Sequence, residues 1–214
     1  IMQVNPLHLT DGYKCDHRRQ YPKGTNLVYS NFTARKSRYA EIDHIVFFGL
    51  QYFVKEYLIR QWKENFFDLP KEEVLNSYKR RIKNYLGPDA ITYEHIEYLH
   101  DLQYLPLRIK AVPEGTKIPI NLPCLTMYNT DPNCFWLTNY LETILSCVLW
   151  QGTNSATVAN KYREVFNQYA DLTVGNRDFV PFQGHDFSFR GMGFPEASFG
   201  SGAAHLLSFV GTDS

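Results

Sequence analysis

The sequence contains 214 residues, enough for one large domain or two small ones with a sizeable buried core. Its 22 basic residues balance 22 acidic residues, so it lacks the overall positive charge that is typical of nucleic-acid-binding proteins. Hydrophobic residues make up 44% and charged residues 21% of the chain, as is ordinary for a soluble globular protein. Three local basic clusters are interpreted as solvated faces: Lys14–Arg19, Arg35–Arg38 and Lys79–Lys83.

The cysteines and the hydropathy pattern indicate a cytoplasmic protein. The four cysteines form no CxxC pair and have no histidine at zinc-finger spacing, so we expect reduced thiols, two or three of them buried. No apolar run reaches membrane-spanning length, and the start Ile1-Met2-Gln3-Val4 lacks a signal-peptide pattern. We therefore assign no metal ligand to this chain and expect neither a membrane nor a nucleic-acid partner.

The first half of the chain is predicted to form an irregular arm followed by strands and helices. Apolar residues recur at helical spacing in some segments and alternate with charged residues in others. The turn Pro22-Lys23-Gly24 precedes the first strand, and Gly87-Pro88 stops the second helix. The predicted elements are a strand at Asn26–Phe32, a helix over residues 46–66, a helix opened by Pro70, a helix from about Thr92 and a strand at Leu107–Ala111.

A second short strand, Cys124–Tyr128, is predicted to precede a long apolar region. Asp131 is predicted to be the N-cap of a helix whose first position is Pro132. This helix should be deeply buried, because it is apolar on most of its circumference. The pattern predicts two helices separated by Gly152, over residues 132–150 and 154–170.

The last third of the chain is predicted to contain a strand–helix–strand unit. Small residues fill Glu196–His205, where glycines weaken helix propensity but would let a helix lie close against a sheet. A short buried strand is predicted at Leu206–Val210. Because a parallel unit needs neighbours on both faces, we expect the polypeptide to end in the middle of a domain. The expected fold is α/β, with a mixed α/β N-terminal domain over residues 1–152 and the first part of an α/β barrel over residues 153–214.

Two polar clusters of this last third, Phe187–Arg190 and Asp213, are candidate site residues. In α/β sheets and barrels, ligands bind at the carboxyl ends of the strands, where these clusters are predicted to fall. The alternatives are an ion pair or a helix cap for Arg190 and Asp213, and core packing for Phe187. His185 and His205 border the candidate site and are expected to orient a loop rather than to act as bases. No common nucleotide-binding, metalloprotease or hydrolase motif is present.

A series of short motifs, in order over essentially the whole chain, is highly specific as a set. They include Asp11-Gly12-Tyr13-Lys14, Phe47–Tyr52, Lys110–Gly115, Asn129–Pro132, Trp136–Asn139, His185-Asp186-Phe187, Arg190-Gly191, Gly202–Leu206 and Gly211-Thr212-Asp213. Together they resemble the N-terminal half of nicotinamide phosphoribosyltransferases, which are type II phosphoribosyltransferases. The resemblance implies a mixed α/β domain followed by an irregular α/β barrel, in a homodimer whose active sites lie at the subunit interface.

The resemblance also implies roles for five residues. Phe187 would stack on one face of the nicotinamide ring, and Tyr13 of the other subunit would cover the second face. Asp213 would accept a hydrogen bond from the carboxamide NH₂ group. Arg190 would hold the pyrophosphate, and Arg35 of the partner arm would add positive charge near the phosphates. Asp213 and Arg190 are the implied catalytic residues. Mg²⁺, bound through pyrophosphate and through residues outside this chain, is an implied cofactor, and ATP is a further candidate.

The implied reaction transfers phosphoribosyl from phosphoribosyl pyrophosphate to the ring nitrogen of nicotinamide, giving nicotinamide mononucleotide and pyrophosphate in NAD salvage. The ring becomes cationic as its nitrogen bonds to the ribose carbon, so aromatic faces and a carboxylate stabilise the product-like charge. A bidentate arginine suits the anionic pyrophosphate.

Two alternatives stay open at this point. A nicotinate phosphoribosyltransferase would have the same fold class, but a carboxylate at Asp213 would repel the carboxylate of nicotinate. The chain could also be a non-catalytic truncated fragment that only dimerises or docks onto a partner. We expect little activity from these residues in isolation. If a second polypeptide supplies the C-terminal half, the assembly is expected to be an enzyme.

Overall fold

The computed structural model describes residues 4–214, so Ile1–Gln3 and the expectation about the start of the chain lie outside the described residues. The chain divides into two compact units, each assembled from three separate segments. The first unit comprises the chain up to Asn31 together with Gln51–Lys110 and Leu125–Ser146. The second comprises Phe32–Leu50, Ala111–Cys124 and Cys147–Ser214. The predicted domain division at residue 152 stays a prediction.

Across residues 4–214, five strands form two small sheets. They are β1 (Tyr29–Thr33), β2 (His44–Val46), β3 (Leu107–Ala111), β4 (Lys117–Pro119) and β5 (Pro123–Asn129). One sheet has the order β1-β5-β3, and in the other β2 pairs antiparallel with β4, with Ile45 opposite Ile118. The predicted strands at Leu107–Ala111 and Cys124–Tyr128 are confirmed as β3 and β5.

The first predicted strand begins later than expected, at Tyr29 instead of Asn26. Just before the strand, the side-chain amide of Asn129 forms the hydrogen bonds that a partner strand would otherwise form. Its Oδ1 accepts a hydrogen bond from the backbone N–H of Val28 at 2.8 Å, and its Nδ2 donates to the carbonyl of Asn26 at 2.8 Å.

In the part of the chain that the structure describes, six helices account for most of the regular structure. They are α1 (Lys14–His17), α2 (residues 50–67, with π-helical hydrogen bonding over Phe53–Arg60 and Lys63–Phe67), α3 (Lys71–Leu86), α4 (Glu94–Leu102), α5 (Leu137–Thr173) and α6 (Pro195–His205). The predicted stop of α3 is confirmed, because Gly87 follows it with a φ of 98° that favours glycine. The helix predicted from residue 46 starts only at Leu50, since residues 44–46 form β2.

Apolar side chains of three helices, including aromatic rings, form the core of the first unit. Phe53 and Phe66 of α2, Ile96 of α4 and Leu137 of α5 are fully buried. The basic cluster Lys14–Arg19 was predicted to be a solvated face. This prediction is wrong at Lys14, which is only 5% exposed. Its Nζ donates to Asn139 Oδ1 at 2.7 Å and to Glu142 Oε2 at 2.5 Å, and this pairing offsets the cost of burying the charge.

The predicted break at Gly152 is wrong, because α5 runs unbroken for 37 residues. Packing outweighs the weak helix propensity of glycine at this position. A Cβ atom on Gly152 would lie 3.2 Å from the Phe48 ring and 3.3 Å from the Phe48 carbonyl oxygen. The glycine therefore lets another segment of the second unit approach the helix closely. Asp131 is an N-cap followed by Pro132, as predicted, but it caps a 3₁₀ turn at Pro132–Cys134, and the long helix α5 begins only at Leu137.

The predicted strand at Leu206–Val210, and with it the strand–helix–strand unit, is also wrong. The backbone N–H groups of Leu206, Leu207 and Phe209 bond back to carbonyls of α6, so the segment is a series of turns. Within the described chain after α5, no strand is present. The helix of small residues is confirmed as α6, where buried Ala204 packs with Ala156 of α5 and Val46 of β2.

The cysteine prediction is confirmed, because all four cysteines are free thiols and Cys124 and Cys134 are buried. Within residues 4–214, no helix is both long and apolar enough to cross a membrane.

Candidate functional site

Two segments of the second unit lie side by side at the candidate site. The N–H of Val210 donates to the carbonyl of Pro181 at 3.0 Å, and the N–H of Asp213 donates to the carbonyl of Asp186 at 3.1 Å. Val210 pairs with Pro181, and further along both segments Asp213 pairs with Asp186, so the two segments run parallel. This pairing brings Asp213 next to the loop that carries Phe187.

His185 connects Asp213 to that loop. Its Nδ1 lies 2.8 Å from Oδ2 of Asp213, and its Nε2 lies 3.1 Å from the carbonyl oxygen of Phe182. The ring centroids of His185 and Phe187 are 6.2 Å apart. The structure therefore gathers Phe187, His185 and Asp213 into one cluster, in which Asp213 has His185 as a hydrogen-bond partner.

Hydrogen bonds around Asp186 and Ser214 hold the loop in shape. The Asp186 carboxylate accepts bonds from the N–H of Ser188 at 3.0 Å and from its hydroxyl at 3.1 Å. Ser214 Oγ accepts from the N–H of Phe189 and donates to the carbonyl of Asp186, each at 3.0 Å. The bonded loop presents Phe187 with 66% of its surface exposed, so an aromatic face is open to a ligand.

A half-open cavity of about 680 Å³ lies between α5, α6 and this loop. Phe187, His185 and His205 line it, together with aromatic rings of α5 and of the turns after α6. The full lining is Asn154, Ser155, Val158, Ala159, Tyr162, Phe166, Gln183, Gly184, His185, Asp186, Phe187, Ser201, His205 and Phe209. Its volume falls in the range of small-molecule sites.

His205 orients the inner part of the loop, as the sequence predicts. Its Nε2 lies 3.1 Å from the carbonyl oxygen of Gly184, and its ring stacks on Phe209 at 4.8 Å. A Cβ atom at position 184 would lie 2.4 Å from the Phe209 ring, so a larger residue there would force this ring to shift.

Of the predicted site residues, Phe187 lines the cavity, whereas Asp213 and the other three lie outside its lining. Arg190 is exposed in the 3₁₀ turn Ser188–Gly191, and Arg35 is exposed in the segment after β1. Tyr13 belongs to the first unit, is 54% exposed and has its ring centroid 5.0 Å from that of His17. The roles of these three residues stay predictions.

Sequence reasoning missed the cavity wall that α5 provides. Val158, Tyr162 and Phe166 are spaced four residues apart, so they share one face of the helix. That spacing was the available signal, and it lies within the helix predicted over residues 154–170, but a helical apolar face does not by itself indicate a cavity wall.

The described residues 4–214 contain no group of three or more His, Cys, Asp or Glu side chains that could hold a metal ion. The donor set for the implied Mg²⁺ is therefore not assigned to this chain.

Solved structures with a similar fold define the class of protein. Human nicotinic acid phosphoribosyltransferase aligns over 96% of this chain and 36% of its own, with a TM-score of 0.64 and 18% identity. Nicotinate-nucleotide pyrophosphorylase from Pyrococcus furiosus aligns over 100% of this chain and 40% of its own, with a TM-score of 0.57 and 15% identity. The chain thus has an α/β fold of the phosphoribosyltransferase class.

Sequence comparison finds more specific similarities within this class. Residues 5–96 match the model of the N-terminal domain of nicotinamide phosphoribosyltransferase. The nicotinamide phosphoribosyltransferase of Acinetobacter baylyi is 51% identical over 99% of this chain, and that of Xanthomonas campestris pv. campestris is 34% identical over 98%. Over nearly its whole length, the chain is similar to nicotinamide phosphoribosyltransferases. It spans 43% and 42% of the length of these two relatives.

Proposed function

We propose that this chain forms part of a nicotinamide phosphoribosyltransferase, which transfers phosphoribosyl from phosphoribosyl pyrophosphate to the ring nitrogen of nicotinamide. The observation that carries the proposal is the cluster of Phe187, His185 and Asp213 beside the cavity. His185 lies 2.8 Å from the Asp213 carboxylate, and its ring centroid is 6.2 Å from that of the exposed Phe187. A flat, amide-bearing aromatic ring fits this combination of an aromatic face and a hydrogen-bond acceptor.

In this proposal, Phe187 stacks on the pyridine ring and Asp213 accepts a hydrogen bond from the carboxamide NH₂ group. His185 binds Oδ2 of Asp213, so Oδ1 is the oxygen assigned to the ligand. Stacking holds the ring nitrogen in line with the anomeric carbon, and such orientation lowers the barrier by several kcal/mol. The nearby carboxylate favours the cationic ring that forms as the new bond is made.

The rest of the site is proposed to come from two protomers and from residues outside this chain. Arg190 would hold the leaving pyrophosphate, while Tyr13 and Arg35 would reach over from the partner of a homodimer. When bound, Mg²⁺ would neutralise pyrophosphate charge, and we assign it and any coupling to ATP to residues outside this chain. We also propose a cytoplasmic location, which agrees with the four free thiols.

Nicotinate is the substrate of the main competing proposal, and the two solved structures described above are named for nicotinic acid and for nicotinate nucleotide. The Asp213 carboxylate disfavours it, because two facing carboxylates repel each other. A fragment that only docks onto a partner is the other alternative.

Asp213→Asn tests the substrate assignment. The protein is purified from its source with every polypeptide that accompanies it, and mononucleotide formation is measured with nicotinamide and with nicotinate. We expect the wild type to prefer nicotinamide. The substitution should lower its kcat/KM for nicotinamide about ten- to hundredfold, as for the loss of a hydrogen bond to a charged group. It should also raise the relative use of nicotinate.

Asp178→Asn is the matched control, because Asp178 is exposed and lies outside the cavity lining. It should keep the wild-type preference. A wild type that uses nicotinate better would establish the competing assignment, and a purified assembly that forms neither mononucleotide would contradict the enzyme proposal.

A further inference from the structure

The imidazole of His185 is hydrogen bonded at both ring nitrogens, and both partners are acceptors. Nδ1 lies 2.8 Å from Oδ2 of Asp213, and Nε2 lies 3.1 Å from the carbonyl oxygen of Phe182. A neutral imidazole carries one N–H donor, so it satisfies one of these acceptors and leaves the other facing a lone pair. The doubly protonated ring donates to both.

We propose that His185 acts as an imidazolium that positions Asp213, so that nicotinamide binding depends on the charge of this histidine. The inference rests on the proposed function, because it assigns the Asp213 carboxylate to the carboxamide of nicotinamide. His185 is a positioning residue in this scheme, since it acts on the ligand through Asp213.

A series of contacts connects the core of the second unit to the Asp213 carboxylate. Val180 is fully buried and begins the 3₁₀ turn Val180–Phe182, whose last carbonyl receives the Nε2–H of His185. Nδ1–H then fixes Oδ2 of Asp213, which is itself 40% exposed. With one oxygen held, rotation of the carboxylate is restricted and Oδ1 keeps one direction toward the ligand. Charge-assisted bonds of this kind are about twice as strong as neutral ones.

Other titratable groups share the cavity with His185 but have their own partners. The carboxylate of Asp186 is bound by Ser188, and Nε2 of His205 bonds to the carbonyl of Gly184. Tyr162 faces the cavity from α5, where its ring packs near Phe166. A histidine ordinarily loses its charge between about pH 5 and 8, well below the range in which a tyrosine titrates.

The number of N–H donors on His185 determines whether nicotinamide binding weakens or strengthens as the pH rises. At low pH the ring holds both Asp213 and the Phe182 carbonyl. As the pH rises, one N–H is lost and one acceptor is left without a donor. Nicotinamide binding should therefore weaken as the pH rises, whereas the step that follows binding should change little.

The test measures KM and kcat for nicotinamide in the intact protein from pH 6 to pH 9, at saturating phosphoribosyl pyrophosphate. For the wild type, we expect KM to rise about tenfold across this range, as for the loss of one charge-assisted hydrogen bond, with kcat nearly constant. His185→Gln keeps a donor but carries no titratable charge. It should raise KM at pH 6 and give a flat KM profile.

His44→Gln is the matched control. His44 also lies in the second unit and pairs with an aspartate, since its Nδ1 is 2.9 Å from Oδ1 of Asp43, but it does not line the cavity. This variant should keep the pH profile of the wild type.

A wild-type KM that stays flat while nicotinamide mononucleotide is formed would overturn the inference and leave the proposed function standing. A pH slope that persists in His185→Gln would also overturn it. If that variant does not fold, Asp213→Asn replaces it and must likewise flatten the profile. A wild type that forms no nicotinamide mononucleotide at any pH would overturn the inference and the proposed function together.

Discussion

At the scale of single residues, His95 shows how burial fixes a charge state. The side chain is 7% exposed near the start of α4, and its ring packs edge-on against Trp136 at 4.9 Å. Burial, and to a lesser extent the positive charge of Arg18, lower the pKa of His95 to about 3. The ring is therefore neutral in the folded protein at a pH where an exposed histidine is charged.

This charge state predicts a loss of stability in mild acid. Below the pKa of an unfolded histidine, about 6.5, the unfolded chain binds a proton that the folded chain does not bind. The free energy of unfolding should thus fall by up to about 1.4 kcal/mol for each pH unit between about 6.5 and 3 from this residue alone. Urea unfolding at pH 7, 6 and 5, followed by tryptophan fluorescence, measures the slope. His95→Gln should reduce it, and equal slopes in variant and wild type would contradict the assignment to His95.

The residues of the candidate site were easier to predict than their partners. Phe187 and Asp213 stand out in the sequence because each follows an apolar segment near the end of the chain. The bond between His185 and Asp213 joins positions 28 residues apart, and the bond from buried Lys14 to exposed Glu142 joins positions 128 apart. No local pattern specifies such contacts, which depend on how the segments pack.

At the scale of secondary-structure elements, the sequence predicted beginnings and ends that have a local chemical cause. Asp131 caps its turn through a bond to the N–H of Asn133, and Gly87 ends α3 with a positive φ. The same reasoning failed at Gly152 and at Leu206–Val210. A glycine breaks an isolated helix more readily than a packed one, and a strand requires a neighbour that the sequence pattern does not reveal.

Gly152→Ala should destabilise the protein although it improves helix propensity. The new Cβ atom would meet the Phe48 carbonyl oxygen at 3.3 Å. Thr153 limits any retreat of this backbone, because its hydroxyl donates to the Phe48 carbonyl at 3.2 Å and accepts from the Phe48 N–H at 3.4 Å. We expect a loss of about 1–2 kcal/mol, as for overpacking, measured as a lower urea midpoint.

Gly200→Ala is the matched control for this prediction. Gly200 also lies inside a helix, α6, and the nearest atom to its new Cβ would be Gln151 Nε2 at 4.0 Å. Without a clash, the gain in helix propensity should raise stability by about 0.5–1 kcal/mol. Stabilisation by both substitutions would show that the packing of Phe48 does not constrain α5.

At the scale of the whole molecule, the fold class could be predicted but the assembly of the units could not. Mixed strands and helices were expected, and the α/β class is confirmed by the observed elements and by the phosphoribosyltransferase structures of similar fold. Each unit, however, combines three segments that are far apart in the chain. The three-residue strands β2 and β4 are too short to show a period, and their pairing across 73 positions is a non-local event.

The proposed homodimer can be tested by mixing two inactive variants of the intact protein. If each site takes Tyr13 from one protomer and Phe187 from the other, a heterodimer of Tyr13→Ala with Phe187→Ala has one site with both defects and one with neither. After denaturation and refolding together, random pairing should restore about a quarter of the wild-type rate, because half of the dimers are mixed and each has one intact site.

A mixture of Phe187→Ala with Arg190→Ala is the control, since both residues would belong to the same protomer's share of a site. Every site of that heterodimer keeps one defect, and no activity should return. If Tyr13 instead served the site of its own chain, the first mixture would stay as inactive as the control. The comparison therefore separates a shared site from one built within a single protomer, whatever the oligomeric state of the protein.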